Sequence, residues 1–88
     1  MVRKRVNVHG RVQGVFFRDT TRRIADSRGV AGWIRNNPDG SVEAVFEGDA
    51  DAVDEMVRFA REGPRGAAVE RVDVTDEEPE NATGFRIS

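Results

Sequence analysis

Four stretches of alternating apolar and polar residues, two stretches with apolar residues at helical spacing, and Gly- or Pro-bearing breaks between them place this chain in the α+β class. In chain order they give strand, helix, strand, strand, helix, strand and a short terminal strand, with two helices on one face of an antiparallel sheet. At 88 residues the chain reads as one domain, residues 1–88. A chain of this size buries about 60–65% of its unfolded surface, enough for one modest core.

The first strand covers residues 3–9, where Val6 and Val8 point one way and Arg5, Asn7 and His9 the other, which leaves His9 on the surface. A helix follows over Phe17–Arg28, with Phe17, Thr21, Ile24, Ala25 and Arg28 on one face and Ile24 and Ala25 at its centre. Gly29 stands where such a helix closes. Phe16 and Phe17 are both expected in the core at the strand-to-helix junction.

Residues 30–36 and 41–47 form a hairpin, because Asn37-Pro38-Asp39-Gly40 has the residue order of a type I turn. Alternation sets Asn36 on the face of Ile34, with Trp33 and Arg35 on the other. In the next strand Val42, Ala44 and Phe46 oppose Glu43 and Glu47. Asp49 or Asp51 caps a second helix, whose Val53, Met56, Val57 and Ala60 recur at helical spacing until Gly63-Pro64 ends it. Residues 69–75 are a fourth strand with Val72 and Val74 inward. Asp76-Glu77-Glu78-Pro79-Glu80-Asn81 reads as a solvated acidic link, and Phe85-Arg86-Ile87 as the last strand. This order is the split βαβ, ferredoxin-like arrangement, which hosts many functions.

Composition narrows the classes. Met1-Val2-Arg3-Lys4-Arg5 is followed by no apolar run, and no stretch nears the roughly 18 apolar residues of a membrane span. Without cysteine there is no disulfide and no thiolate metal site, and His9 alone builds no histidine cluster. The expectation is a cytoplasmic monomer with no metal or other cofactor and no membrane or nucleic-acid partner. The net charge of −2 hides an asymmetry, with residues 1–35 at +7 and residues 36–88 at −9. A basic first part favours an anionic ligand, although such charge also suits nucleic acid.

The basic part contains Gly10-Arg11-Val12-Gln13-Gly14-Val15-Phe16-Phe17-Arg18, a glycine-bracketed loop that runs into a helix. Glycine lets backbone N–H groups turn inward, and a helix start adds unpaired N–H groups and partial positive charge. Arg18 supplies a planar guanidinium suited to a phosphate or carboxylate. A plain turn followed by a solvated arginine fits the residues equally well. Neither nucleotide-loop pattern, Gly-x-x-x-x-Gly-Lys-Ser/Thr or Gly-x-Gly-x-x-Gly, occurs.

That nine-residue stretch, followed by Gly32-Trp33-Ile34-Arg35-Asn36, resembles the two signature motifs of the acylphosphatase family in order and separation. The resemblance implies hydrolysis of a carboxyl–phosphate anhydride to carboxylate and inorganic phosphate, without metal or covalent intermediate. It implies that the backbone amides of Val12, Gln13, Gly14, Val15 and Phe16 hold the phosphoryl oxygens. Arg18 then binds the phosphate, and Asn36 orients the attacking water. Without the resemblance, Asn36 reads as a second turn-stabilising asparagine beside Asn37. The alternative function is a non-catalytic phosphate- or RNA-binding module of the same architecture. Against RNA, this sequence lacks the aromatic RNA-binding signature, and acidic residues stand in the strand at 41–47.

Overall fold

The computed structural model describes residues 1–88 and contains β1 (Val2–Arg11), α1 (Phe17–Arg28), β2 (Ala31–Asn36), β3 (Val42–Gly48), α2 (Ala50–Glu62), β4 (Ala68–Glu77) and β5 (Phe85–Ile87). The strands line up as β4-β1-β3-β2-β5. Every neighbouring pair is antiparallel except β2 and β5, which are parallel. The expected wholly antiparallel sheet is corrected at this edge. β4 ends at the end of the sheet where β2 begins, and the link crosses that end, so β5 starts there and runs alongside β2.

Both helices pack on one face, and a single cluster of 15 buried apolar residues lies between the layers. The sheet gives it Val6, Val8, Ile34, Val42, Ala44 and Phe46, and the helices give Phe17, Ala25, Val53, Met56 and Ala60. On α1 the buried face is Phe17, Thr21 and Ala25. Ile24 is only half-buried, and Arg28 lies outside, where it pairs with Glu55 at 3.0 Å. Asp49 occupies the N-cap position of α2 but makes no side-chain cap bond. The hairpin turn forms as its residues require: the Gly40 amide donates to the Asn37 carbonyl at 3.1 Å.

The other face of the sheet is covered as well. β3 is buried on both faces, down to Glu47 at 1% exposure, because arginines from neighbouring strands cover its carboxylates. Arg3 donates to Glu47 at 3.1 Å and to Glu77 at 3.0 Å, Arg35 donates to Glu43 at 2.9 Å, and Arg5 bridges Glu43 and Glu77. The guanidinium groups of Arg5 and Arg35 lie over the Trp33 ring, 5.3 and 5.1 Å from its centroid. The acidic link is also no solvated tether. Glu77 belongs to β4, and the amides of Glu80 and Ala82 donate to the Glu47 carboxylate at 2.9 and 3.0 Å. His9, expected on the surface, is partly covered, with Nε2 3.3 Å from Asp73.

This network ties stability to pH. The amide of Glu80 first, then that of Ala82 and the charge of Arg3, hold the Glu47 carboxyl below its ordinary range against the opposing effect of burial. Hydrogen bonds from Arg5 and Arg3 lower Glu77. Burial pushes Glu43 up, but Arg35 and Arg5 together outweigh it, and the net shift is downward. Each group therefore titrates lower in the folded than in the unfolded chain. Their stabilisation is complete above the unfolded carboxylate range, about pH 4.5, and is lost as pH falls through the lower folded values. Thermal unfolding followed by circular dichroism should give a level Tm from about pH 8 to 6 and a progressive fall below about pH 4.5. A Tm still level at about pH 3 would contradict a stabilising role for these pairs.

Candidate active site

β1 runs two residues past its expected end, so Gly10 belongs to the strand and not to the loop. The register against β4 shifts between His9 and Gly10, and a Cβ on Gly10 would sit 2.2 Å from the Ala68 carbonyl oxygen. Gly10 is thus required for close strand approach at a bulge. Gly14 serves differently: its φ is +75°, and a Cβ there would meet nothing within 4 Å. Gly10→Ala should therefore destabilise the fold by about 3 kcal/mol, against about 1 kcal/mol for Gly14→Ala, whose larger effect should fall on activity. Urea unfolding beside a phosphate-release assay separates the two.

The loop proper is residues 12–16. Val12 is buried at its start, and Val15 packs against the core, so the backbone is pinned at two points. Gly14 and Phe16 between and after them are left-handed, at φ +75° and +60°. For Phe16 that backbone costs about 1–2 kcal/mol. Its ring is 79% exposed, which corrects the expectation that both Phe16 and Phe17 are core. Only Phe17 is, edge-on to Phe59 with centroids 5.9 Å apart. Phe16, left-handed at the N-cap of α1, stays outside the core that Phe17, the first residue of the helix, enters.

None of the amides of residues 12–16 donates to a backbone carbonyl in a turn, loop or cap. Left-handed residues in a short loop let neighbouring N–H groups turn toward one concavity, a shape that binds anions. The first turn of α1 adjoins it. Arg18, in that turn, is half-buried and forms no ion pair, while Asp19 beside it is held by Arg23 at 2.8 Å and Arg22 at 3.6 Å. The carboxylate next to Arg18 is thus neutralised by other cations.

A cleft of about 310 Å³ opens here, lined by Val12, Gly14 and Phe16 of the loop, Phe17, Arg18 and Asp19 of α1, Asn36 of β2 and Ile87 of β5. Asn36 arrives because β2 ends at the loop, on the face it shares with the buried Ile34. Its Oδ1 is buried and has no hydrogen-bond partner. Leaving such an acceptor unpaired costs about 1–3 kcal/mol. Of the residues singled out from sequence, Val12, Gly14, Phe16, Arg18 and Asn36 line the cleft, whereas Gln13 and Val15 do not.

The side chain of Gln13 has a use that its sequence context does not reveal. Its Nε2 donates to the carbonyls of Asn37 and Ser41, at 2.8 and 3.0 Å, and so fastens the loop to the hairpin turn that follows Asn36. Motif reading concerned only its backbone amide, since the partners are remote in sequence and carry no side-chain signature. Gln13→Ala should lower kcat/KM about tenfold through loop misplacement, with about 1–2 kcal/mol lost in urea unfolding.

The acylphosphatase family model matches residues 4–87. An acylphosphatase of Rubrobacter xylanophilus is 62% identical over 87 residues, which cover 97% of this chain and 78% of the relative. One of Thermococcus kodakarensis is 50% identical over 86 residues, covering 98% and 94%. The crystal structure of acylphosphatase from Bacillus subtilis superposes with a TM-score of 0.95 at 37% identity, covering 100% of this chain and 99% of that one. With a fold, a family model and close relatives in agreement over nearly its whole length, the chain belongs to the acylphosphatase family and is an enzyme of that type.

Proposed function

We propose that this enzyme cleaves acyl phosphates at phosphorus, with Arg18 and the amides of residues 12–16 holding the phosphoryl group and Asn36 orienting the water. The observation that carries the reading is the meeting of three groups at one cleft: an arginine without an ion pair, loop amides without carbonyl partners, and a buried amide oxygen without a donor.

The chemistry asks little more of the protein. An acyl phosphate dianion and water give carboxylate and dihydrogen phosphate. The water oxygen bonds to phosphorus, the P–O bond to the carboxyl group breaks, and the leaving oxygen keeps the electron pair. A carboxylate leaves readily, so no strong general acid is required, and rate comes from positioning and charge stabilisation. Arg18 and the loop amides match the charge on the three non-bridging oxygens. Asn36 has no useful pKa and works by orientation: Oδ1 accepts a hydrogen from the water and aims its lone pair at phosphorus. The proton released goes to a phosphoryl oxygen of the substrate.

The expected metal independence follows from this donor set, which is cationic and amide in character. A binding module that reads RNA on the open sheet face is a poorer fit. Arg3, Arg5 and Arg35 are already engaged by Glu43, Glu47 and Glu77 there. The test is release of phosphate from benzoyl phosphate by the purified protein with EDTA present. Turnover that survives the chelator supports the reading; no turnover, or a chelator-sensitive one, overturns it.

A further inference from the structure

At the mouth of the cleft stand two apolar side chains that the phosphoryl chemistry does not use. Phe16 is 79% exposed and Ile87, on β5, is 37% exposed, and together with Met1 they are the exposed large apolar residues of the chain. Both line the cleft that holds Arg18 and Asn36. Folding gains little from the Phe16 ring, since it packs in no core and its backbone is in the left-handed region. A residue that bears both exposure and strain beside a binding cleft is explained by what it touches when the cleft is filled.

We propose that Phe16 and Ile87 form an apolar shelf for the acyl group, so that the enzyme prefers acyl phosphates with an aromatic or branched apolar body over small or polar ones. This rests on the function proposed above. A phosphoryl group held by the loop and Arg18 leaves its acyl substituent to project from the cleft, and the loop that grips the phosphate is the same one that presents the ring. A flat aromatic acyl group would lose water against both side chains, whereas acetyl is too small to span them. Selectivity then comes from contacts to the leaving group, separate from those to phosphorus.

The test compares kcat/KM for benzoyl phosphate with that for acetyl phosphate as a ratio within each variant, so that intrinsic reactivity cancels between variants. Phe16→Asn suits the left-handed backbone and removes the ring. It should lower the ratio about tenfold, and Phe16→Tyr should restore it. Ile87→Ser should lower the ratio about threefold. A ratio within about twofold of wild type in both Phe16→Asn and Ile87→Ser overturns the shelf, as does an equal loss on both substrates, which would assign Phe16 to loop shape alone. Wild-type protein that cleaves neither substrate overturns the proposed function and the shelf with it, whereas cleavage with an unmoved ratio removes the shelf only.

Discussion

Arg18→Ala is expected to lower kcat/KM for benzoyl phosphate by about 10³–10⁵-fold, the range seen when an arginine that stabilises a transferring phosphoryl group is removed. Arg18 sits in the first turn of α1 without an ion pair, and its acidic neighbour Asp19 is taken up by Arg22 and Arg23. Its charge is therefore available to the cleft. In the proposed mechanism the guanidinium contacts the phosphoryl group before and during reaction, so inhibition by inorganic phosphate should weaken in parallel. Arg18→Lys keeps the charge but replaces a two-pronged planar donor with a point donor on a flexible stem, and it should still lose at least about 10²-fold. A lysine variant with near-native kcat/KM would show that charge alone suffices and that the fork geometry is irrelevant.

Asn36→Ala is expected to lower kcat by about 10²–10³-fold, as for loss of one oriented hydrogen-bonding group at a reacting centre. Its signature differs from that of Arg18. In the proposed mechanism the carboxamide acts on water, so KM and phosphate inhibition should stay near wild type while kcat falls. Stability should not fall and should rise by up to about 1–3 kcal/mol, because the Oδ1 that is removed is buried and unpaired and leaves no partner behind. Asn36→Asp supplies a sharper contrast. It places a carboxylate beside the phosphoryl group, so KM should rise as well as kcat fall. If Asn36→Ala weakened phosphate inhibition and left kcat intact, the residue would be a phosphate ligand and the orienting role would be wrong.

Much of the fold is local and legible in the order of residues. The helix at Phe17–Arg28 starts and stops where apolar spacing and Gly29 require, and Gly29 adopts the left-handed backbone with φ +69°. The hairpin turn at Asn37-Pro38-Asp39-Gly40 follows from residue types alone. Non-local features were misread for one reason: they depend on which strands lie side by side. Alternation places Glu43 and Glu47 opposite the apolar face but does not say what covers them, and β3 is the central strand, paired with β1 and β2. Arg3, Arg5 and Arg35 therefore close over them. Glu77 and the link after it looked solvated for the same reason, although their partners Arg3, Arg5 and Glu47 lie more than thirty residues away in sequence.

By itself, then, the order of residues determined the class of fold, the family and the residue types available for an anion site, because helix periodicity, turn chemistry and a nine-residue motif are all properties of neighbours along the chain. Tertiary structure alone decided that Asn36 and Arg18 face one cleft, that Gln13 fastens the loop to the hairpin, and that Phe16 stands in solvent while Phe17 is buried. Each of these depends on how the sheet pairs its strands and on the sign of φ at two loop residues. Neither quantity is set by the residues on either side.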